Sequence, residues 1–148
     1  MADLRSLPLV DASVPETATF AEAVALLFKA QVPALAVLGS DGLLVGVVSE
    51  LDVLRAVFPG YLAELRHTAF LDDDPMGLDE RARAIRSRPV SELARQVEPL
   101  DGDDSETHAA ELFLHLGEQA LPVMDGARFL GMLSVAALCH ARLYRAGA

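Results

Sequence analysis

A chain of 148 residues with net charge −10, 52% apolar residues and only 5% aromatic ones holds one compact domain, or two very small ones sharing an aliphatic core. The acidic balance disfavours nucleic acid and anionic membrane surfaces as partners, and no apolar run approaches the roughly 20 residues of a membrane span. The start, Met1-Ala2-Asp3-Leu4-Arg5, lacks the basic and apolar stretches of a secretory signal, and the single Cys139 excludes an intrachain disulfide, so the expectation is a cytoplasmic protein.

Along the chain, Thr19 and Glu22 read as a capping box in which each side chain satisfies an otherwise unpaired backbone N–H. They open a helix whose Phe20, Ala23, Val24, Leu27 and Phe28 recur at helical spacing as one apolar stripe. Two short apolar runs follow, residues 34–38 and 44–48, on either side of Ser40-Asp41-Gly42. Asp-Gly between apolar runs marks a hairpin, because glycine tolerates the positive φ of such turns. The runs barely alternate, so both faces of these strands are expected to be covered. A closing helix spans 50–58 and stops at Pro59-Gly60. The connector, 59–88, holds a short helical piece at 61–66, the acidic Asp72-Asp73-Asp74 and a polar helix at about 79–86. Its Arg81, Arg83, Arg86 and Arg88 read as solvated, self-neutralising surface.

Pro89-Val90-Ser91-Glu92-Leu93 begins a second pass through the same order, and the register of the repeat needs one deletion, in the turn. Ala109, Leu112, Phe113 and Leu116 form the equivalent stripe, ended by Gly117; Asp125-Gly126 is the hairpin turn, and a closing helix runs from 135 to about 144. Cys139, within an apolar run, reads as a small core residue. His108 and His115 are seven apart, about two helical turns, too far to share a metal ion. No catalytic triad, cysteine cluster or phosphate-cradling glycine loop can be made out, so neither an enzyme, a metal site nor a resident cofactor is expected. One unit alone is too short to bury a core, which makes two copies packed face to face the natural solution.

The duplicated order, with Gly46-Val47-Val48-Ser49-Glu50-Leu51-Asp52 leading into one closing helix and Gly131-Met132-Leu133-Ser134-Val135-Ala136-Ala137 into the other, resembles the CBS-domain family. The lead-in at 89–93 is similar to that family's entry into a second domain. The resemblance implies an α/β (α+β) fold: two β-α-β-β-α units, 1–58 and 89–148, related by a pseudo-two-fold axis and joined by the connector. It implies two clefts of a kind that bind adenosine-bearing ligands (AMP, ADP, ATP or S-adenosylmethionine), with Ser touching phosphate and Asp holding the ribose hydroxyls. It also implies a homodimer paired through helices, for which Val53, Leu54, Val57, Leu138 and Leu143 are candidate apolar contacts, and an unknown protein target regulated in trans. The alternative is a structural dimerisation module with non-functional clefts.

In chemical terms Ser49, at a strand-to-helix turn, lies where unpaired N–H groups and the helix dipole favour an anion. Asp52, one turn on, can accept two hydrogen bonds from a ribose diol. Gly46 belongs to the same motif, and Val32, Pro33, Ala34 and Leu35 are candidates for the apolar adenine slot. Ser-x-x-Asp is also a capping box, so on the tetrad alone both readings stand. The second site, Ser134 with Gly131, is weakened because Ala137 replaces the acid. Arg55 and Arg128 are the nearest basic residues along the chain, and Glu50 adds negative charge beside Ser49. A triphosphate is therefore disfavoured relative to AMP.

Overall fold

The computed structural model describes residues 3–58 and 77–146. The expected helical piece at 61–66 and the Asp72–Asp74 triplet lie outside the described residues. Two three-stranded sheets form, of orders β1-β2-β3 and β4-β5-β6. In the first unit β1 (Ser13–Pro15), α1 (Phe20–Ala30), β2 (Ala34–Leu38), β3 (Leu44–Ser49) and α2 (Glu50–Val57) follow in order; the polar helix α3 (Leu78–Ile85) lies in the connector. The second unit repeats the order with β4 (Leu100–Asp101), α4 (Glu106–Leu116), β5 (Ala120–Asp125), β6 (Arg128–Ser134) and α5 (Val135–Ala146). In each sheet the short first strand pairs parallel to the second, and the second and third form the antiparallel hairpin. The fold is thus the mixed α/β repeat that the sequence pattern implies.

Strand β2 and its counterpart β5 are buried on both faces along most of their length, as their unbroken apolar runs require. The first core runs from Ala12 and Val14 through Leu35, Val37 and Val47 to Ala120 and Met132 of the second sheet, so the two units share it. A second cluster gathers Leu100, Leu112, Phe113, Leu121 and Leu133. Two members of that cluster, Leu4 and Leu7, come from the N-terminal segment. The 3-10 turn at Leu4–Ser6 docks on the second sheet, with the Leu4 N–H donating to the Gly102 carbonyl at 3.1 Å. Arg5 ties it down further through ion pairs to Asp103 and to Asp125, the latter at 3.0 Å. The corresponding turn at Val90–Glu92 docks on the first unit: Val90 is wholly buried there and donates to the Ala18 carbonyl at 2.7 Å. Each unit's lead-in segment therefore completes the other unit.

Some apolar positions turn outward. On α1 the buried face is Phe20, Ala23 and Leu27; Val24 is 40% and Phe28 85% exposed. The core stripe is one residue wide per turn, narrower than the expected stripe, and the two outer positions line a groove of about 460 Å3 between α1, α2 and α3 instead. Leu116, at the last turn of α4, is exposed as well. On the closing helices Val53 and Leu138 point into the core, whereas Leu54 and Leu143 face outward. Cys139 is exposed, contrary to the sequence reading, because it follows the inward Leu138 by about 100° around the helix. The Thr19 cap is half of the expected box. Its hydroxyl oxygen accepts from the Glu22 N–H at 3.1 Å, while the hydroxyl itself lies 3.2 Å from the Glu22 carboxylate, which leaves that carboxylate off the backbone. The connector arginines are exposed, as expected, though not idle: Arg81 Nε donates to the Ala56 carbonyl at 2.9 Å, and the carbonyls of Arg86 and Arg88 receive N–H groups from the first turn of α1. Among the described residues no helix is long and apolar enough to cross a membrane, and no group of three or more His, Cys, Asp or Glu is placed to hold a metal ion.

Candidate functional site

Strand β3 ends at Ser49, whose extended backbone (φ −99°, ψ 163°) makes it the N-cap of α2. The capping box is complete: Ser49 Oγ accepts from the Asp52 N–H at 3.2 Å, and Asp52 Oδ2 accepts from the Ser49 N–H at 2.8 Å. This realises the capping reading of the tetrad without using up either side chain. The Ser49 hydroxyl proton remains available to donate, and a carboxylate has room for further bonds.

Asp52 is 8% exposed, and burying a carboxylate requires a partner. That partner is Arg95, from the segment between the Val90–Glu92 turn and β4. Its Nε lies 2.9 Å from both Oδ1 and Oδ2 of Asp52. The two terminal nitrogens of the same guanidinium fork onto Glu118, in the turn between α4 and β5, at 2.7 and 3.2 Å. Arg55, one turn along α2, stands 3.9 Å from Asp52. Glu118, opposed by partial burial and helped by Asp52, raises the Arg95 pKa above its ordinary value, so the group stays charged. The result is a chain Asp52–Arg95–Glu118 running from the first unit to the second.

The backbone of Arg95 is placed independently of these charges. Arg95 and Val47 exchange both backbone hydrogen bonds at 2.9 Å, which lays the lead-in arm of the second unit alongside β3. Gly46 permits this: a Cβ there would stand 2.5 Å from the Arg95 carbonyl oxygen. The motif glycine, a candidate ligand residue in the sequence, thus has a packing reason. Gly131 has the same one, since a Cβ on it would meet Leu9 at 2.8 Å.

The proposed adenine slot is brought next to Ser49. Ala34 pairs with Ser49 across the sheet, and the Pro33 carbonyl accepts from the Glu50 N–H at 2.9 Å. The side chains of Val32, Ala34 and Leu35 belong to the core, which leaves Pro33 as the half-buried member at the site. In the second unit Ser134 Oγ accepts from the Ala137 N–H at 3.0 Å, so that serine caps α5 with no acid beside it. Arg128 stands at the opposite end of β6, paired with Asp125, and cannot serve the Ser134 end.

Sequence reading missed Arg95 and Glu118. They lie 43 and 66 positions from Asp52, in segments without hydrophobic periodicity. Aligning the two copies exposes them. Val10 exchanges backbone hydrogen bonds with Met132 as Arg95 does with Val47, and Val32 precedes β2 as Glu118 precedes β5. Where one copy has Asp52, Arg95 and Glu118, the other has Ala137, Val10 and Val32. A separate cavity of about 570 Å3 opens at the far end of β3, between Leu43–Gly46 and the second hairpin, and is lined by neither Ser49 nor Asp52.

Residues 2–59 match the CBS domain family. No curated protein matches the chain. Among solved structures, it is similar to a CBS domain-containing protein of unknown function from Kribbella flavida (TM-score 0.73, 19% identity, 97% of this chain and 99% of that one). It is also similar to a CBS domain protein from Pyrobaculum aerophilum complexed with AMP (TM-score 0.71, 25% identity, 99% of each chain). A third similar structure is CBSX2 in complex with AMP (TM-score 0.63, 23% identity, 97% of this chain and 93% of that one). The CBS domain model thus covers the first unit, and the chain as a whole shares its fold with these CBS-domain proteins.

Proposed function

We propose that the chain is a regulatory, non-catalytic module that binds one adenosine-bearing ligand in the cleft at Ser49 and Asp52 and acts in trans on a partner protein. The observation that carries this reading is Asp52, a buried carboxylate at the first turn of α2, beside a serine cap, in a fold shared with a protein complexed with AMP. The asymmetry supports a single ligand per chain, because Ala137 offers nothing to a ribose. Around Asp52 the acids Glu50 and Glu118 add to its charge and outweigh Arg55 and Arg95, which favours AMP over ATP. Titration calorimetry with AMP, ADP, ATP and S-adenosylmethionine tests the reading. The expected result is one site per chain, with AMP bound more tightly than ATP. Two equal sites per chain would contradict it. No binding to any of the four favours the second reading, a dimerisation module with silent clefts, to which the self-satisfied cap of Ser49 and Asp52 lends support.

The same proposal includes a homodimer. Phe28 and Leu54 on the first unit, with Leu143 and Tyr144 on the second, leave the helical faces apolar, and the α4–α5 face carries its own groove of about 420 Å3. Sedimentation at micromolar concentration is expected to show a species of twice 15.8 kDa. A single species at the monomer mass would remove the dimer from the proposal.

A further inference from the structure

The geometry points to a latch: we propose that Arg95 closes the first cleft by occupying Asp52, and that an adenosine ligand binds by displacing it. This deepens the nucleotide-binding reading and rests on it. The equal 2.9 Å distances from Nε to the two carboxylate oxygens put the guanidinium in front of the carboxylate, on the line between its lone pairs. A vicinal diol donating one hydroxyl to each oxygen needs the same place. The two cannot hold Asp52 together.

Three further observations separate a latch from a structural ion pair. First, the crossing arms are docked by backbone hydrogen bonds, Arg95 with Val47 and Val10 with Met132, and the second crossing stands without any charge. The backbone crossing therefore does not depend on the charges, which add a tie of their own. Second, the three polar members are replaced as a set: Ala137, Val10 and Val32 occupy the equivalent positions in the copy that has lost its acid. Arg95 and Glu118 thus accompany Asp52. Third, the parts differ in freedom. The Asp52 and Glu118 side chains are 8% and 12% exposed and have little solvent to move into, while the Arg95 side chain is 40% exposed. Glu118 holds the guanidinium in a bidentate fork aimed at Asp52, a geometry suited to arginine. Since Asp52 sits on the first unit and Glu118 on the second, ligand binding would cut a charged tie between the units. That links occupancy of the cleft to how firmly the two units hold each other.

Calorimetric titration of the wild type, Arg95→Met and Glu118→Gln with adenosine and with AMP tests the latch. Adenosine has no phosphate, so it reports on competition for Asp52 alone. A hydrogen bond to a charged group supports an expected rise of about tenfold in adenosine affinity for Arg95→Met. Glu118→Gln, which loosens the fork, is expected to give a smaller rise and serves as the second variant should Arg95→Met fail to fold. Adenosine binding to Arg95→Met but not to the wild type would also support the latch. Unchanged or weaker adenosine binding in folded variants overturns it while leaving the nucleotide reading standing. Weaker AMP binding with adenosine unchanged makes Arg95 a phosphate contact and equally overturns it. No binding of either compound to any form defeats the nucleotide reading, and the latch with it.

Discussion

Leu4→Ala is expected to destabilise the protein by about 3 kcal/mol, within the roughly 2–5 kcal/mol that follows truncation of a buried leucine. Leu4 has no exposed surface and packs with Leu100, Leu121 and Leu133 in the core of the second unit. Three heavy atoms would be lost from the segment, and the cavity left behind is walled by strands β4, β5 and β6, which are tied into a sheet and cannot collapse inward freely. For a chain of this length the change corresponds to a fall of about 10 °C in the midpoint of thermal unfolding. Ser6→Ala, two positions on and exposed, removes only the exposed hydrogen bond from Ser6 Oγ to the Asp3 carbonyl at 2.8 Å and, as the control, should stay within about 1 kcal/mol of the wild type. Denaturant unfolding measured on both variants checks the result. A Leu4→Ala midpoint equal to that of the control would mean that the N-terminal turn is not seated on the second sheet.

The docking of Leu4 is also a good example of what sequence reading can and cannot reach. The hairpins were legible because Asp41-Gly42 and Asp125-Gly126 stand between apolar runs, and the helices because Thr19 and Ser49 cap two of them and an apolar stripe ended by Gly117 marks a third. These signals are local. The crossing of the lead-in arms is not: Leu4 and Val90 are short apolar residues in segments without periodicity, and only the fold shows that each fills the other unit's core. The site divides along the same line. Ser49 and Asp52 are three residues apart and announce themselves as a cap, whereas Arg95 and Glu118 reach Asp52 through the arm crossing and through a turn of the other unit. Phe28 shows the remaining failure, in which helical spacing identified an apolar face and exposure placed it outward, on a surface that spacing alone cannot assign to core or partner.

Asp52→Ala is expected to weaken AMP binding ten- to a hundredfold, the range of one or two hydrogen bonds from a ribose diol to a charged acceptor. The latch argues for the lower part of that range, because the wild type must first give up the Arg95 contact and the variant does not. The substitution also removes half of a capping box and leaves the Ser49 N–H without its 2.8 Å acceptor, at a cost of about 1 kcal/mol. Its circular dichroism and unfolding midpoint must therefore be measured alongside the titration. Asp52→Asn separates the two roles: its amide oxygen can still accept from the Ser49 N–H, so the cap survives, while the charge that draws both Arg95 and the ribose is gone. Loss of affinity in both variants, with Asp52→Asn close to wild-type stability, is the outcome that assigns Asp52 to the ligand. Stoichiometry supplies the complementary check, since a cleft built from Ala137, Val10 and Val32 has no acceptor for a diol and should leave one ligand per chain. Tight AMP binding unaffected by either substitution would move the ligand away from Asp52, and the cavity of about 570 Å3 between Leu43–Gly46 and the second hairpin would be the next place to look for it.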